Sequence, residues 1–204
     1  MKNSVCAFVQ ARMSSRRYPG KVLAPFRGQP IIRHVLNSIE KVLSSSQIVV
    51  VTSTEESDNP LALYLQASHV PVFRGPLNNV FERFQQCLKK HPCDWILRIC
   101  ADSPLLDPLI LQKLLNYTES DYDLVTTTFP RTFPRGKNAE LIRVHTFLSL
   151  NSQKLTESEQ EHPTSFFYRN SDSFKILNIE SGDEKLSEIN LSVDTVEDLL
   201  RLEK

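Results

Sequence analysis

The sequence predicts an α/β fold: a mostly parallel, mixed sheet with helices on both faces. Three observations carry that expectation. Short apolar runs alternate with stretches of helical hydrophobic spacing over the first 128 residues, the rhythm of strand–helix–strand units. One run, IVVVT at 48–52, is continuous rather than alternating, as a strand buried on both faces requires. The 204-residue length suits one large domain, 1–204, which buries roughly 70% of its unfolded surface without disulfides or metals.

Taken in order, Val5–Val9 reads as a strand from its length and its Val and Phe content. Ile32, Val35, Leu36, Ile39 and Leu43 recur at helical spacing after Pro30, a favourable first-turn residue. After the 48–52 strand, Leu61, Tyr64 and Leu65 mark a helix and Val70–Phe73 a strand. Asn79 is a candidate cap for a helix carrying Val80, Phe81, Phe84, Cys87 and Leu88. WILRIC (95–100) reads as a central strand, Asp107-Pro108 as the cap and first turn of a helix through Tyr117, and Leu124–Thr128 as a further strand. Beyond it the rhythm changes. FPRTFPRGKN (129–138) is a long loop by its Pro, Gly and Arg content. Short strands are expected at Ala139–Val144, Lys175–Ile179 and Leu191–Val193, and helices at Glu159–Asn170 and Thr195–Leu202. No repeat, low-complexity tract or linker divides the chain.

Charge and cysteine usage narrow the function. With 24 basic and 24 acidic side chains the chain has no net charge, which argues against a nucleic-acid or membrane-surface binder. No apolar run approaches the ~20 residues of a membrane span, and the run opening the sequence is too short for a secretory leader. Cys6, Cys87, Cys93 and Cys100 form no CxxC pair and no metal-ligand spacing. They read as reduced, buried thiols of a cytoplasmic protein.

Within this balance ARMSSRRYPGK (11–21) concentrates four cations, Arg12, Arg16, Arg17 and Lys21, with no acid. It follows the first strand, and ligands of open parallel sheets bind outside the carboxyl ends of the strands. Hydroxyls, turn N–H groups and cations together suit a polyphosphate. On charge alone the arginines could equally solvate a surface loop. The stretch is not a Walker A motif, since Lys21 precedes Val22, and no GxGxxG is present. ADSPLLDP (101–108) follows WILRIC, so Asp102 is expected at the same edge. A carboxylate facing a polyphosphate is repelled unless a cation such as Mg2+ lies between them; alternatively Asp102 or Ser103 caps the turn, as Asp107 does before Pro108. In NLSVDTVEDLL (190–200), Asp194 and Glu197 have capping-box spacing, and that cap could still lend an oxygen to a cation.

Together these segments resemble the cytidylyltransferases that make CMP-activated sugar acids, the CMP-Kdo and acylneuraminate synthetases, and most closely the spore-coat polysaccharide protein SpsF branch. ARMSSRRYPGKVL matches the A-R-x-x-S-x-R-x-P-G-K-x-L signature at Arg12, Ser15, Arg17, Pro19, Gly20 and Lys21. VTS (51–53), FRGPLNNVFERF (73–84), RICADSPLLDP (98–108), FPRG (133–136), EQEHPTSFFY (159–168) and VDTVEDL (193–199) follow in the family's order. The resemblance implies a Rossmann-like nucleotide-diphosphosugar transferase fold, usually dimeric through its irregular second half, with 129–190 supplying the acceptor side and dimer contacts. It implies attack of an acceptor oxygen on the α-phosphorus of CTP, releasing pyrophosphate, for surface polysaccharide synthesis. Arg12, Ser15, Arg17 and Lys21 would hold the triphosphate, and Asp102 and Asp194 would bind Mg2+. Thr52, Ser53, Arg74, Asn79 and Arg83 would shape the nucleotide pocket, although Arg83 also fits the exposed face of an amphipathic helix. Glu140 and His162 would face the acceptor, a small molecule of sugar-acid type.

One departure stands out: after FPRG the SpsF-like pattern places a hydrophobic residue, then Asp, and here Lys137 and Asn138 stand instead. Losing that carboxylate removes a charge from the acceptor side. Rival readings are a cytidylyltransferase for a phosphonate-like acceptor, a non-catalytic nucleotide-binding descendant, and a GT-A glycosyltransferase using Asp121-Tyr122-Asp123 as its metal motif. That last motif precedes the 124–128 strand and so falls at the wrong end of it.

Overall fold

The computed structural model describes residues 3–204, so the first two residues of the opening segment lie outside it. The chain runs β1 (Val5–Gln10), β2 (Pro25–Phe26), β3 (Gln29–Pro30), α1 (Ile31–Ile39), β4 (Ile48–Ser53), α2 (Asn59–Ala67), β5 (Val72–Gly75), α3 (Val80–Lys90) and β6 (Trp95–Cys100). It continues through α4 (Pro108–Leu115), β7 (Leu124–Thr126), β8 (Glu140–Arg143), α5 (Val144–Ser149), α6 (Glu157–Glu161), α7 (Ser165–Arg169), β9 (Ile176–Asn178) and α8 (Val196–Glu203). Seven strands form one sheet in the order β5-β4-β1-β6-β8-β7-β9. Only β8 runs against the rest, pairing antiparallel with both β6 and β7.

The pleat explains the layering. Along β1 successive side chains alternate faces, so Val5, Ala7 and Val9 meet α1, α2 and α4 through Ile32, Val35, Leu65 and Leu111. Phe8 points the other way, into α3, α5 and α7 with Phe81, Phe84, Phe147 and Phe167. Its ring stands edge-on to Phe84 at 5.3 Å, and full burial of each such side chain contributes about 1.5–3 kcal/mol. β1 therefore has a helix layer on each side, and the strands beside it, β4 and β6, run parallel to it. Their carboxyl ends emerge together at one edge.

Two details bring the far end of the chain to that edge. The two-residue Arg27-Gly28 turn, with φ of 46° and 81°, closes the β2–β3 hairpin. α8 packs Leu199 and Leu202, with Val193, onto Phe26 of this hairpin and Ala24 just before it. The Val193 N–H also donates to the Asp102 carbonyl at 2.9 Å. Asp194 is thereby carried beside the loop after β1.

The structure differs from expectation in the second half and at the cysteines. The helix expected over Glu159–Asn170 is two short ones, α6 and α7, because Pro163 interrupts it and His162 caps α6. Leu191–Val193 is no strand; the neighbouring Asn190 makes only an isolated bridge to Arg135. Of the four free thiols only Cys87 is buried, the other three being half-buried.

Candidate active site

A cavity of about 630 Å³ opens at the carboxyl ends of β1 and β6. Arg12, Ser15, Arg16, Arg17 and Lys21 line one wall, Asp102 and Asp194 another, and Glu161 and His162 the rim.

The loop 11–20 is held from both ends. Gly20 takes φ 77°, a conformation that needs glycine, and its N–H donates to Met13 O at 2.8 Å. The Met13 N–H donates to Asp58 Oδ1 at 2.6 Å. Asp58 Oδ2 in turn accepts from Thr52 Oγ1 (2.9 Å), the Ser53 N–H (3.0 Å) and Ser53 Oγ (2.5 Å). Burial works against charge on Asp58, but the donors Ser53, Met13 and Thr52 outweigh it and hold its carboxyl below the usual range. Thr52 and Ser53 therefore do not line the cavity, contrary to expectation. They anchor the residue that anchors the loop.

Lys21 is the centre of the site's electrostatics. Its side chain is buried, and Nζ donates to Asp102 Oδ2, Asp194 Oδ1 and Val193 O, each at 2.9 Å. Burial opposes its charge, yet Asp102 and Asp194 raise its pKa above the ordinary lysine value. Arg17 Nη2 reaches Asp194 Oδ1 at 3.0 Å, and Arg12 Nη2 reaches Glu161 Oε1 at 3.0 Å. Asp194 is free for this because it is not the helix cap. Thr195 caps α8, with Asp198 as its capping-box partner, one residue later than the sequence spacing suggested.

The remaining expected nucleotide residues lie behind the wall rather than on it. Arg74 donates to the carbonyls of Ser53 (2.7 Å) and Glu55 (2.8 Å). Asn79 caps α3 by accepting from the Glu82 N–H at 2.9 Å, and its neighbours Leu77 and Asn78 reach the cavity instead. Arg83 is buried, so the exposed-face alternative is wrong: its Cγ lies 3.0 Å from where a Cβ on Gly75 would stand, and Nη1 donates to Pro76 O. Among the described residues its Nε has no partner, and burial pushes its pKa down to about 10.

A smaller cavity of about 220 Å³ adjoins the first, sharing Arg98, Cys100 and His162 with it. Glu140 lines it but is fully engaged: Oε2 pairs with Arg98 and Oε1 accepts from Tyr168 at 2.5 Å. Glu140 thus fixes Arg98, which also donates to Gln10 Oε1 at 3.1 Å. Asn138 accepts from Arg131 on the same wall. Burial pushes the Cys100 thiol up to about 11, which disfavours its thiolate form. Asp121 and Asp123 lie at the amino end of β7, bound to Lys175 and, for Asp123, Thr146. Neither lines either cavity, so the Asp-x-Asp spacing of a glycosyltransferase does not serve this site.

No group of three or more His, Cys, Asp and Glu side chains shaped for a metal occurs among the described residues. Asp102 and Asp194 do converge on one cationic point together with a main-chain oxygen. An all-oxygen set with two carboxylates is what a hard divalent ion shared with a phosphate uses, so the residues fit Mg2+. Asp58, Arg98 and Tyr168 were not foreseen. Asp58-Asn59-Pro60 reads in sequence as a turn, and Arg98 sits mid-strand where a charge signals nothing by position.

The profile of the family described as cytidylyltransferase matches residues 6–199. The spore coat polysaccharide biosynthesis protein SpsF of Bacillus subtilis (strain 168) is 25% identical over 205 residues, covering 96% of this chain and 83% of that protein. The structure of a cytidylyltransferase from Leptospira borgpetersenii serovar Hardjo-bovis (strain JB197) superposes with a TM-score of 0.91 at 30% identity, over 98% of this chain and 85% of that one. A CMP:2-keto-3-deoxy-manno-octonic acid synthetase solved with CTP superposes with a TM-score of 0.74 over 98% of this chain and 97% of that one; at 17% identity this is a likeness of fold.

Proposed function

The chain belongs to the cytidylyltransferase family, and from that premise we propose that it joins CMP from CTP to a small acceptor of sugar-acid type, with Mg2+ and release of pyrophosphate. The observation that carries this reading is the meeting of Arg12, Arg17 and Lys21 with Asp102 and Asp194 around one cavity at the strand ends. Transfer of a nucleotidyl group asks the protein for charge neutralisation and in-line positioning rather than covalent work. Mg2+, held by Asp102 and Asp194, would polarise the reacting phosphate. The loop cations hold the triphosphate and stabilise the departing pyrophosphate, and the Asp58 anchor keeps the loop in register with them. His162 belongs to both cavities, the place from which a side chain can accept the acceptor's proton. The smaller cavity, framed by Arg98, Glu140 and Tyr168, takes the acceptor. By the same resemblance the product feeds surface polysaccharide synthesis in the cytoplasm, and the enzyme is a homodimer through 129–190.

The test is pyrophosphate release from CTP, UTP, ATP or GTP with Mg2+ across a panel of sugar acids and phosphonates. Release is expected with CTP and one acceptor class, and Asp102→Asn should lower the rate by about 10²–10³-fold, far more than the fraction of unfolded protein read from thermal unfolding accounts for. An undiminished rate in Asp102→Asn removes that residue from the metal site.

A further inference from the structure

The ammonium of Lys21 has three N–H donors, and all three are taken, by Asp102, Asp194 and the Val193 carbonyl. In this state Lys21 has nothing left to offer a phosphate. The point it occupies is also the one on which both carboxylates converge, so a metal ion and the ammonium compete for the same oxygens. The cage is sized for the ammonium. Its oxygens stand 2.9 Å from Nζ, about 0.8 Å beyond the Mg–O distance of roughly 2.1 Å.

We infer that Lys21 is a resident cation that occupies the metal position in the nucleotide-free protein, so that the divalent-ion site opens only when the triphosphate draws the ammonium away. This rests on the metal and triphosphate assignments proposed above and adds to them an exchange. The charges close around it: Arg12 is held by Glu161, and Arg17 and Lys21 by Asp194 and Asp102. Adding a metal alone brings uncompensated positive charge beside Lys21. A triphosphate alone strips the carboxylates of their cation. The two together exchange partners, the phosphates taking the ammonium and the metal taking the carboxylates. Metal and nucleotide therefore bind cooperatively, each raising the other's affinity by one common factor.

The experiment is a titration of the full, nucleotide-free chain with Mn2+, followed by the resonance of the free aquo ion. Wild type is expected to bind Mn2+ weakly. Lys21→Met and Lys21→Gln, which remove the ammonium, should each bind one Mn2+ per chain about tenfold or more tightly than wild type. Adding Asp102→Asn to either variant should return binding to the wild-type level. Lys21→Gln keeps an amide for the carboxylates and guards against loss of fold in the methionine variant, with thermal unfolding read alongside. If the folded variants bind Mn2+ no more tightly than wild type, or if the gain survives Asp102→Asn, the exchange is wrong. No nucleotide and no turnover enter the titration, so failure of the cytidylyl reaction and failure of the exchange are separate results.

Discussion

The rim of the larger cavity and the wall of the smaller one carry ion pairs of opposite character. In the larger, the Arg12–Glu161 pair is 40% and 39% exposed and Arg17 is 65% exposed against Asp194. In the smaller, Arg98 and Glu140 are 12% and 7% exposed, and Glu140 spends both oxygens on Arg98 and Tyr168. Water competes for the first set and not for the second. An exposed pair is worth little and exchanges partners readily. A buried pair that loses a member leaves an uncompensated charge in a medium that cannot solvate it. The rim of the larger cavity, outside the buried Lys21, is thus lined by groups that can let go, and the smaller cavity by a frame that cannot.

The largest effect expected from breaking this contrast falls on the frame. Glu140→Ala should destabilise the protein by about 3–5 kcal/mol, because Arg98 stays buried without its partner. Equilibrium unfolding in urea measures it. A loss below about 1 kcal/mol would mean that Arg98 finds solvent or another acceptor, and that the smaller cavity is as adaptable as the larger.

The second effect tests what holds the cationic loop. Asp58→Asn removes a charged acceptor shared by Met13, Ser53 and Thr52, and bonds to charged groups are worth about 1.5–3 kcal/mol. The pH dependence has a definite sign. The carboxyl of Asp58 is depressed when folded, so its contribution is fully present above the ordinary carboxylate value of about 3.9. It is lost as pH falls through the lower, folded value. The gap between wild type and Asp58→Asn should be full at neutral pH and shrink below about pH 4 in urea unfolding. CTP affinity should fall with it, since the loop loses its anchor. A gap unchanged down to pH 2 would detach Asp58 from the loop.

Asp58 also marks where sequence reading stops. The parallel half of the sheet was legible because burial on both faces writes itself as continuous apolar runs, as in β4. The loop cations were legible as charge without compensation in a neutral chain, Asp102 by its place after β6, and Asp194 as their companion only through the family resemblance. The exact cap of α8 was not. Asp194–Glu197 and Thr195–Asp198 both have capping spacing, and only packing of Leu199 and Leu202 onto Phe26 chooses the second. Thr52, Ser53, Arg74 and Asn79 belong to segments that approach the cavity, but their side chains turn to backbone and to Asp58 instead. Side-chain direction at a strand end depends on partners 5 or 6 residues away in sequence for Ser53 and Thr52, and no periodicity carries it. In the second half, α6, α7 and the 129–138 loop owe their form to long-range contacts such as the Phe129 N–H with Asn178 and Tyr168 with Glu140.

The smallest expected effect sharpens the comparison most, because it asks whether the exposed pairs are truly exchangeable. Glu161→Gln frees Arg12 from its single carboxylate partner. Folding stability should change by no more than about 1 kcal/mol, as for other exposed pairs. CTP affinity should rise slightly, by up to about fivefold, since the triphosphate no longer displaces a carboxylate to reach Arg12. Calorimetric titration with CTP at low and high salt measures both the gain and its screening, and the gain should shrink as salt weakens the competition. A fall in affinity would make Glu161 a group that positions Arg12 for the phosphate rather than one that competes with it. The rim of the larger cavity would then be a fixed frame like the smaller one, and the contrast between the two would be lost.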